Sequence, residues 1–100
     1  MRIIARSTLV AFWTDSPDYA DARPALQAWY REALKADWST PNVVKAQFAN
    51  ASILRDGRVV FNIAGNKYRL IVWINYAYRV VYIRFVGTHA QYDEINAQTI

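Results

Sequence analysis

The chain has 100 residues, of which 54% are hydrophobic and 15% aromatic, enough apolar side chains for one core and too many for a disordered segment. We expect a single domain over residues 1–100, because neither half would keep a workable core. The absence of cysteine excludes a disulfide scaffold and thiol catalysis. One histidine and scattered carboxylates form no recognisable metal cluster, so neither a metal nor a cofactor is predicted.

The charge is unevenly distributed along the chain. The formal net charge is +4, with nine arginines against three lysines. Six cations and one acid lie between residues 55 and 84, the cations being Arg55, Arg58, Lys67, Arg69, Arg79 and Arg84. This basic second half favours a polyanionic partner, and arginine suits phosphate well. No apolar run approaches the ~18 residues of a membrane span, and the early charges argue against a secretory signal. We therefore expect a cytoplasmic protein that makes no contact with a membrane.

The first half of the chain reads as one short strand followed by helices. Residues 2 to 5 predict a strand, and Ser7 is expected to cap a helix that ends before Ser16-Pro17. A second helix is predicted from Asp21 to Lys35, because its apolar residues recur at the spacing of a core-facing stripe. Those residues are Leu26, Trp29, Tyr30, Ala33 and Leu34. Thr40-Pro41 predicts the start of a short third helix.

From Ser52 onward the apolar period changes to two, which is typical of strands. Asp56-Gly57 and Gly65-Asn66 predict hairpins with two-residue loops. If both loops have that length, Asn62 faces Arg69 across the second hairpin.

A third turn near Tyr76-Ala77 would place Arg84 opposite Arg69 and Tyr82 opposite Ile71. Like charges in directly opposed positions are destabilising unless an anion lies between them. This pairing favours a binding surface over the alternative, in which exposed arginines serve solubility and the protection of sheet edges.

Paired residues share a face of a sheet, so the register assigns the side chains to two surfaces. One face is expected to be the core, with Val59, Phe61, Ile63, Tyr68, Leu70, Val72, Ile74, Val81, Ile83 and Phe85. The other is open, basic and aromatic, with Arg55, Arg58, Asn62, Lys67, Arg69, Trp73, Tyr82 and Arg84. The pattern predicts an α+β domain whose small twisted sheet is mainly antiparallel, with two N-terminal helices packed on one face and a short C-terminal helix.

The last segment carries the single histidine. Thr88-His89-Ala90-Gln91 has the form of a capping box and would place His89 at the start of a helix, where free N–H groups favour an anion. Tyr92 and Asp93 would share a flank with His89, so that Asp93 could orient the ring and Tyr92 could stack on a base or donate to a phosphate. The alternatives are that His89 is only a cap residue and that Tyr92 packs on the sheet. Trp73 suits base stacking or a protein partner.

The order of elements resembles the RelE/ParE toxin superfamily. Within it, the segments from Phe61 to Leu70 and from Arg84 to Asp93 are similar to the HigB-type mRNA interferase toxins. The resemblance covers essentially the full length and is specific in the second half. Ala64 departs from the pattern, because a second glycine is common there in relatives.

The resemblance implies the toxin of a type II toxin–antitoxin system, a ribosome-dependent endoribonuclease that inhibits translation. It would cleave mRNA by attack of a 2′-OH on the adjacent phosphate, without a metal. A HigA-type helix-turn-helix antitoxin would neutralise it, and the toxin would bind operator DNA only indirectly, through the antitoxin. By the same resemblance, Arg69 and Arg84 would hold the scissile phosphate, His89 would be the acid or base, and Tyr92 and Lys67 would position substrate. The remaining open-face residues are candidates for contacts with RNA: Arg55, Arg58, Asn62, Trp73 and Tyr82.

Two other functions remain open. A ParE-like relative would poison DNA gyrase by binding protein, without cutting nucleic acid, and it would not need the constellation of Arg69, Arg84, His89 and Tyr92. A basic module that binds RNA without chemistry is the third reading, and a histidine at the start of a helix counts against it.

Overall fold

The computed structural model describes residues 1–100 as a five-stranded sheet with four α-helices. The elements are β1 (Arg2–Ile4), α1 (Arg6–Asp15), α2 (Ala22–Lys35), α3 (Pro41–Gln47), β2 (Ser52–Ile53), β3 (Arg58–Ile63), β4 (Tyr68–Asn75), β5 (Val80–Thr88) and α4 (His89–Asp93). The strand order is β1-β5-β4-β3-β2, with β1 parallel to β5 and the other pairs antiparallel. The predicted α+β class is confirmed. None of the helices combines the length and the apolar character needed to cross a membrane.

The core lies between one face of the sheet and the first two helices. Leu9 and Trp13 of α1 and Leu26 and Trp29 of α2 belong to one buried cluster. The sheet contributes Val59, Phe61, Ile63, Tyr68, Leu70, Val72, Ile74 and Val81 to that cluster, as predicted. The rings of Trp29 and Phe61 lie 5.4 Å apart across the layers. This packing leaves the opposite face of the sheet free of the first two helices.

The helix boundaries follow the local signals in most places. Helix α2 begins one residue later than predicted and ends at Lys35 as predicted, although Leu34 at the end of its stripe is 47% exposed. Helix α3 begins at Pro41, as predicted. The expected cap at Ser7 is wrong, because the position before the helix is Ala5, two residues earlier, which makes no side-chain cap bond.

The first hairpin turns through three residues and not two. The Leu54 N–H donates to the Arg58 carbonyl over 2.9 Å and encloses a turn from Arg55 to Gly57. Asp56 and Gly57 adopt φ angles of 56° and 82°, the left-handed backbone that an Asp-Gly pair predicts. A Cβ atom on Gly57 would lie 2.7 Å from the Ile74 carbonyl oxygen, so the close approach of β4 requires glycine here. The residue type of the turn was predictable, but its length was not.

The second hairpin confirms the prediction that Asn62 faces Arg69. The register of the third hairpin differs from the predicted one. Its loop comprises the four residues between Asn75 and Val80, and a bulge between Ile71 and Val72 adds a residue to β5.

The longer loop and the bulge change every pair that was predicted between β4 and β5. Arg69 faces Gly87 and not Arg84, and Tyr82 faces Trp73 and not Ile71. Phe85 pairs with Ile71, so its side chain leaves the core face to which it was assigned.

Candidate active site

The sheet face opposite the helices, hereafter the arginine face, consists of three rows across β3, β4 and β5. The rows are Asn62–Arg69–Gly87, Val60–Ile71–Phe85 and Arg58–Trp73–Tyr82. The first and third rows are four positions apart along β4, a distance of about 13 Å. The face therefore has two ends, one at Arg69 and the other at Arg58.

Arg69 is a buried cation with no carboxylate beside it. Its side chain is 8% exposed and is the one charged residue in the buried set, which corrects the expectation that it lies open to solvent. Nη1 donates to the main-chain oxygens of Asn66 (3.1 Å) and Tyr68 (3.3 Å), and Nη2 donates to Asn66 Oδ1 (2.7 Å). None of the ion pairs in the chain includes it. A buried charge without a countercharge is costly, so an anion bound here would be strongly favoured.

The last helix lies beside the Arg69 end of this face. The predicted capping box is confirmed: Thr88 Oγ1 accepts from the Gln91 N–H at 3.1 Å and the Gln91 side chain accepts from the Thr88 N–H at 2.9 Å. The main-chain N–H of His89 donates to the Lys67 carbonyl at 3.3 Å. These contacts hold α4 next to the first residues of β4.

The imidazole of His89 has a carboxylate on one side. Its Nδ1 lies 3.1 Å from Asp93 Oδ2, and Nε2 makes no hydrogen bond within the chain. The Tyr92 ring lies 5.8 Å from the guanidinium carbon of Arg69. Helix α4 has five residues, too few for a substantial macrodipole, so affinity for an anion at this end depends on Arg69.

Gly87 lets α4 approach the sheet. A Cβ atom at this position would lie 2.5 Å from Phe85 Cζ and 2.8 Å from the Gln91 side-chain oxygen. A side chain at this position would have to displace the tip of the Phe85 ring or the Gln91 amide, which closes the capping box.

Lys67 and Asn62, both predicted to contact RNA, have different surroundings. Lys67 Nζ forms a salt bridge with Asp21 at the start of α2, and the Tyr68 hydroxyl donates to the same carboxylate. Hydrogen bonds from Lys67 and Tyr68 hold the pKa of Asp21 below its usual range, and the carboxylate raises the pKa of Lys67. Lys67 is therefore already paired, which weakens its expected role in binding substrate. Asn62 is exposed beside Arg69 and its amide makes no hydrogen bond.

The second end of the arginine face is built around Arg58 and Arg84. Arg58 donates to the main-chain oxygen of Ile100 through Nε (3.2 Å) and Nη2 (2.9 Å), and Arg84 Nε lies 3.4 Å from the same oxygen. The rings of Trp73 and Tyr82 lie beside each other here, with centroids 5.1 Å apart. Trp73 Nε1 donates to the Asp56 carbonyl over 2.6 Å, which fixes the indole against the turn.

The register on which the expected clamp of Arg69 and Arg84 depended is wrong. Arg84 is the unpaired residue of the β5 bulge and lies three positions from Gly87, the partner of Arg69, about 10 Å along the strand. The two guanidinium groups also have different partners, Asn66 for Arg69 and Ile100 for Arg84. Arg55, also a predicted RNA contact, lies in the exposed first turn, and its main chain is bonded to Gln98.

Sequence reasoning missed two parts of this surface. Asn66 holds the guanidinium of Arg69 from the turn, and asparagine beside glycine had been interpreted only as a turn signal. The segment after α4 folds back onto Arg58 and Arg84, although it has no periodic pattern. Neither contact follows from strand alternation, because both partners lie outside the strands.

A mixed sheet with helices on one face and a basic surface on the other is the architecture that the resemblance to RelE-like toxins implies. Residues 22–95 match the family model described as HigB toxin, RelE-like toxic component of a toxin-antitoxin system. The chain therefore belongs to the HigB toxin family, which implies an antitoxin partner. It is similar to a protein of Escherichia coli O6:H1 (strain CFT073) named mRNA interferase HigB. The two are 29% identical over 79 residues, with 77% of each chain covered.

Proposed function

We propose that this toxin is an endoribonuclease that cleaves mRNA on the ribosome and thereby inhibits translation. The observation that carries the proposal is Arg69, a buried guanidinium with no carboxylate partner, beside Tyr92 of the helix that also carries the pair of His89 and Asp93. The name of the Escherichia coli relative supports RNA as the substrate. A buried cation next to a titratable ring suits the cleavage of a phosphodiester.

Arg69 would hold the phosphate that is attacked. A guanidinium has five N–H donors, and its contacts with Asn66 and Tyr68 use three of them. Two N–H groups therefore remain for the non-bridging oxygens of a phosphate. Because the side chain is already fixed, it can stabilise the charge that grows in the transition state without reorganisation.

His89 would transfer protons through Nε2. The contact between Nδ1 and Asp93 Oδ2 orients the ring and leaves Nε2 for the substrate. As a base, Nε2 takes the proton of the 2′-OH while the O2′–P bond forms and the P–O5′ bond breaks. The leaving 5′-oxygen then takes up a proton, which yields a 2′,3′-cyclic phosphate and a 5′-OH end. Tyr92 would contact the base or the phosphate at the same point.

The net charge of +4 suits a site surrounded by ribosomal RNA. Binding to the ribosome would place the protein in the cytoplasm. Membership in the family implies an antitoxin, and we infer that it is a helix-turn-helix protein of the HigA type, which would carry the toxin to operator DNA.

Induced expression followed by mapping of transcript 5′ ends tests this function. We expect arrested translation and new 5′-OH ends inside translated frames, because the attack releases the 5′-oxygen. Arg23→Ala is the matched control, since Arg23 is exposed on α2 and forms no ion pair. Intact transcripts with accumulating gyrase–DNA cleavage complexes would establish a ParE-like activity instead. RNA bound but not cut on programmed ribosomes would establish a non-catalytic module.

A further inference from the structure

We propose that Arg58 and Arg84 form a second phosphate site, which binds a phosphodiester of the RNA next to the one that is cleaved. We further infer that the segment Asn96–Ile100 occupies this site when RNA is absent. The inference rests on the proposed function, because it takes the RNA substrate as the ligand. It assigns Arg84 to a phosphate different from the one at Arg69.

The convergence of two guanidinium groups on one oxygen is the first support. Three N–H groups of Arg58 and Arg84 lie between 2.9 and 3.4 Å from the Ile100 main-chain oxygen. Neither arginine forms an ion pair with an Asp or Glu side chain. Two cations directed at one oxygen mark a position for an anionic acceptor, because hydrogen bonds to a charged oxygen such as that of a phosphate are roughly twice as strong as those between neutral groups. The Ile100 oxygen therefore occupies a position that a phosphate oxygen could take.

The bulge in β5 is what brings Arg84 to this position. Strand alternation sends Ile83 to the core face, opposite Val72, and Phe85 to the arginine face, opposite Ile71. Arg84 lies between them as the extra residue, without a strand partner. Bulges re-aim side chains in this way and recur next to active sites.

The surroundings of the two arginines suit a nucleotide more than a free anion. The rings of Trp73 and Tyr82 form a fixed aromatic surface in the row of Arg58. Base stacking on aromatic side chains beside a backbone-binding cation is the usual arrangement for single-stranded nucleic acid. Gly87, which faces Arg69, lies about 10 Å from Arg84 along β5, and the guanidinium groups of Arg69 and Arg84 are held by different partners.

The covering segment is attached by few contacts. Gln98 donates to the Arg55 carbonyl at 2.7 Å and accepts from the Arg55 N–H at 2.9 Å. The other bonds to the sheet face are those from the arginines to Ile100. Val60 (3% exposed) and Ile71 (0% exposed) are buried although they face away from the core cluster, so this part of the face is covered. RNA that displaced the segment could cover the same apolar side chains with a base.

Binding of a short 2′-O-methyl oligoribonucleotide tests the segment, because the methyl group removes the attacking nucleophile. Gln98→Ala deletes both bonds to Arg55 and should tighten binding roughly fivefold to tenfold. Thr99→Ala is the matched control, since the Thr99 hydroxyl bonds only to Asn96 within the segment, and its affinity should equal that of the parent. Equal affinities for Gln98→Ala and the parent would show that the segment does not compete with RNA.

The salt dependence of the same binding tests the phosphate contact. Arg84→Ala and Arg58→Gln should each weaken binding and reduce the slope of log K against log salt by about 0.7, the value for one phosphate of a single strand. Arg84 is exposed in a bulge, so its truncation leaves no cavity and folding is preserved. Unchanged slopes in both variants, with Arg23→Ala as reference, would overturn the site.

The two proposals fail in different ways. The oligoribonucleotide cannot be cleaved, so its binding does not depend on catalysis. If the affinities and slopes change as expected but unmodified mRNA stays intact on ribosomes, the nuclease function is contradicted and the phosphate site is supported. If mRNA is cut but neither the slopes nor the affinity of Gln98→Ala changes, the phosphate site is contradicted and the nuclease function is supported.

Discussion

The two ends of the arginine face hold their cations in different ways. Arg69 is buried, and main-chain and amide oxygens fix its guanidinium. Arg58 and Arg84 are more exposed, and both donate to the Ile100 oxygen. Few hydrogen bonds hold the segment Asn96–Ile100 in place. A fixed cation favours transition-state stabilisation, because it needs no reorganisation during the reaction. A cation with a displaceable partner favours binding, since the partner can leave when the substrate arrives.

This difference predicts separate effects of mutation on catalysis and on binding. Changes at the Arg69 end should reduce the rate of cleavage on the ribosome much more than they reduce affinity. Changes at the Arg58 end should alter affinity and its salt dependence first.

The largest expected effect belongs to His89. His89→Gln keeps a polar side chain at the start of α4 but cannot shuttle protons near neutral pH, and loss of a general acid or base costs ~10²–10⁴ in rate. Single-turnover cleavage on programmed ribosomes measures the rate, and binding to the ribosome measured separately should be nearly unchanged. Cleavage at the parental rate would make His89 a cap residue and would move the proton transfers to Tyr92 or to a ribosomal group.

Arg69→Ala should cost ~10²–10³ in single-turnover rate, the usual loss for one group that stabilises transition-state charge. Because Arg69 is buried and satisfies Asn66 and Tyr68, its truncation should also destabilise the fold by about 1–3 kcal/mol. Thermal unfolding of the variant and of Arg23→Ala separates the two effects. A folded Arg69→Ala protein that cleaves at the parental rate would remove the arginine from the chemistry.

The smallest expected effect concerns the tie between Asp21 and Lys67, which lies away from the second end of the face. The pKa of Asp21 is held below its usual range, first by the hydrogen bond from Lys67 and then by that from Tyr68. A carboxylate with a lowered folded pKa contributes stability that is present above the unfolded pKa and is lost as pH falls through the folded pKa. Asp21→Asn should therefore lose less stability than the parent on acidification below about pH 5.

Melting temperatures of the two proteins, recorded from neutral to acid pH, measure that difference. Arg79 and Asp37 form another exposed ion pair, at 2.6 Å, and Asp37→Asn is the matched comparison. Parallel pH profiles for the parent and Asp21→Asn would show that the tie does not contribute to stability.

The parts of this fold that could be predicted from sequence depend on neighbouring residues. The capping box at Thr88, the α2 stripe and the pairing of Asn62 with Arg69 each follow from chemistry within a few positions. The pairing of β5 with β4 depends on a bulge and on a four-residue loop, which alternating patterns do not reveal. An error of this kind moves every later pair, because the register is cumulative along a hairpin.

The sequence indicated which residues belong to the candidate site better than it indicated which of them lie together. The Tyr92 ring lies beside Arg69, and the His89 N–H is bonded to the Lys67 carbonyl, since β4 and α4 approach each other at this end. Arg84 was assigned to the wrong partner because its bulge was not foreseen. Burial of Arg69 could not be predicted either, because it depends on Asn66 in the turn and on Tyr92 in the last helix.

A double-mutant cycle on Arg69 and Arg84 tests most directly whether the two arginines hold different phosphates. The single variants Arg69→Lys and Arg84→Ala and their combination are compared in single-turnover cleavage of mRNA on ribosomes. Sites without a shared partner and more than ~7–10 Å apart add within about 0.3–0.5 kcal/mol. We therefore expect the double variant to show nearly the product of the two single losses. A coupling above ~0.5 kcal/mol, in the range found for residues that share a partner, would mean that both arginines hold one phosphate.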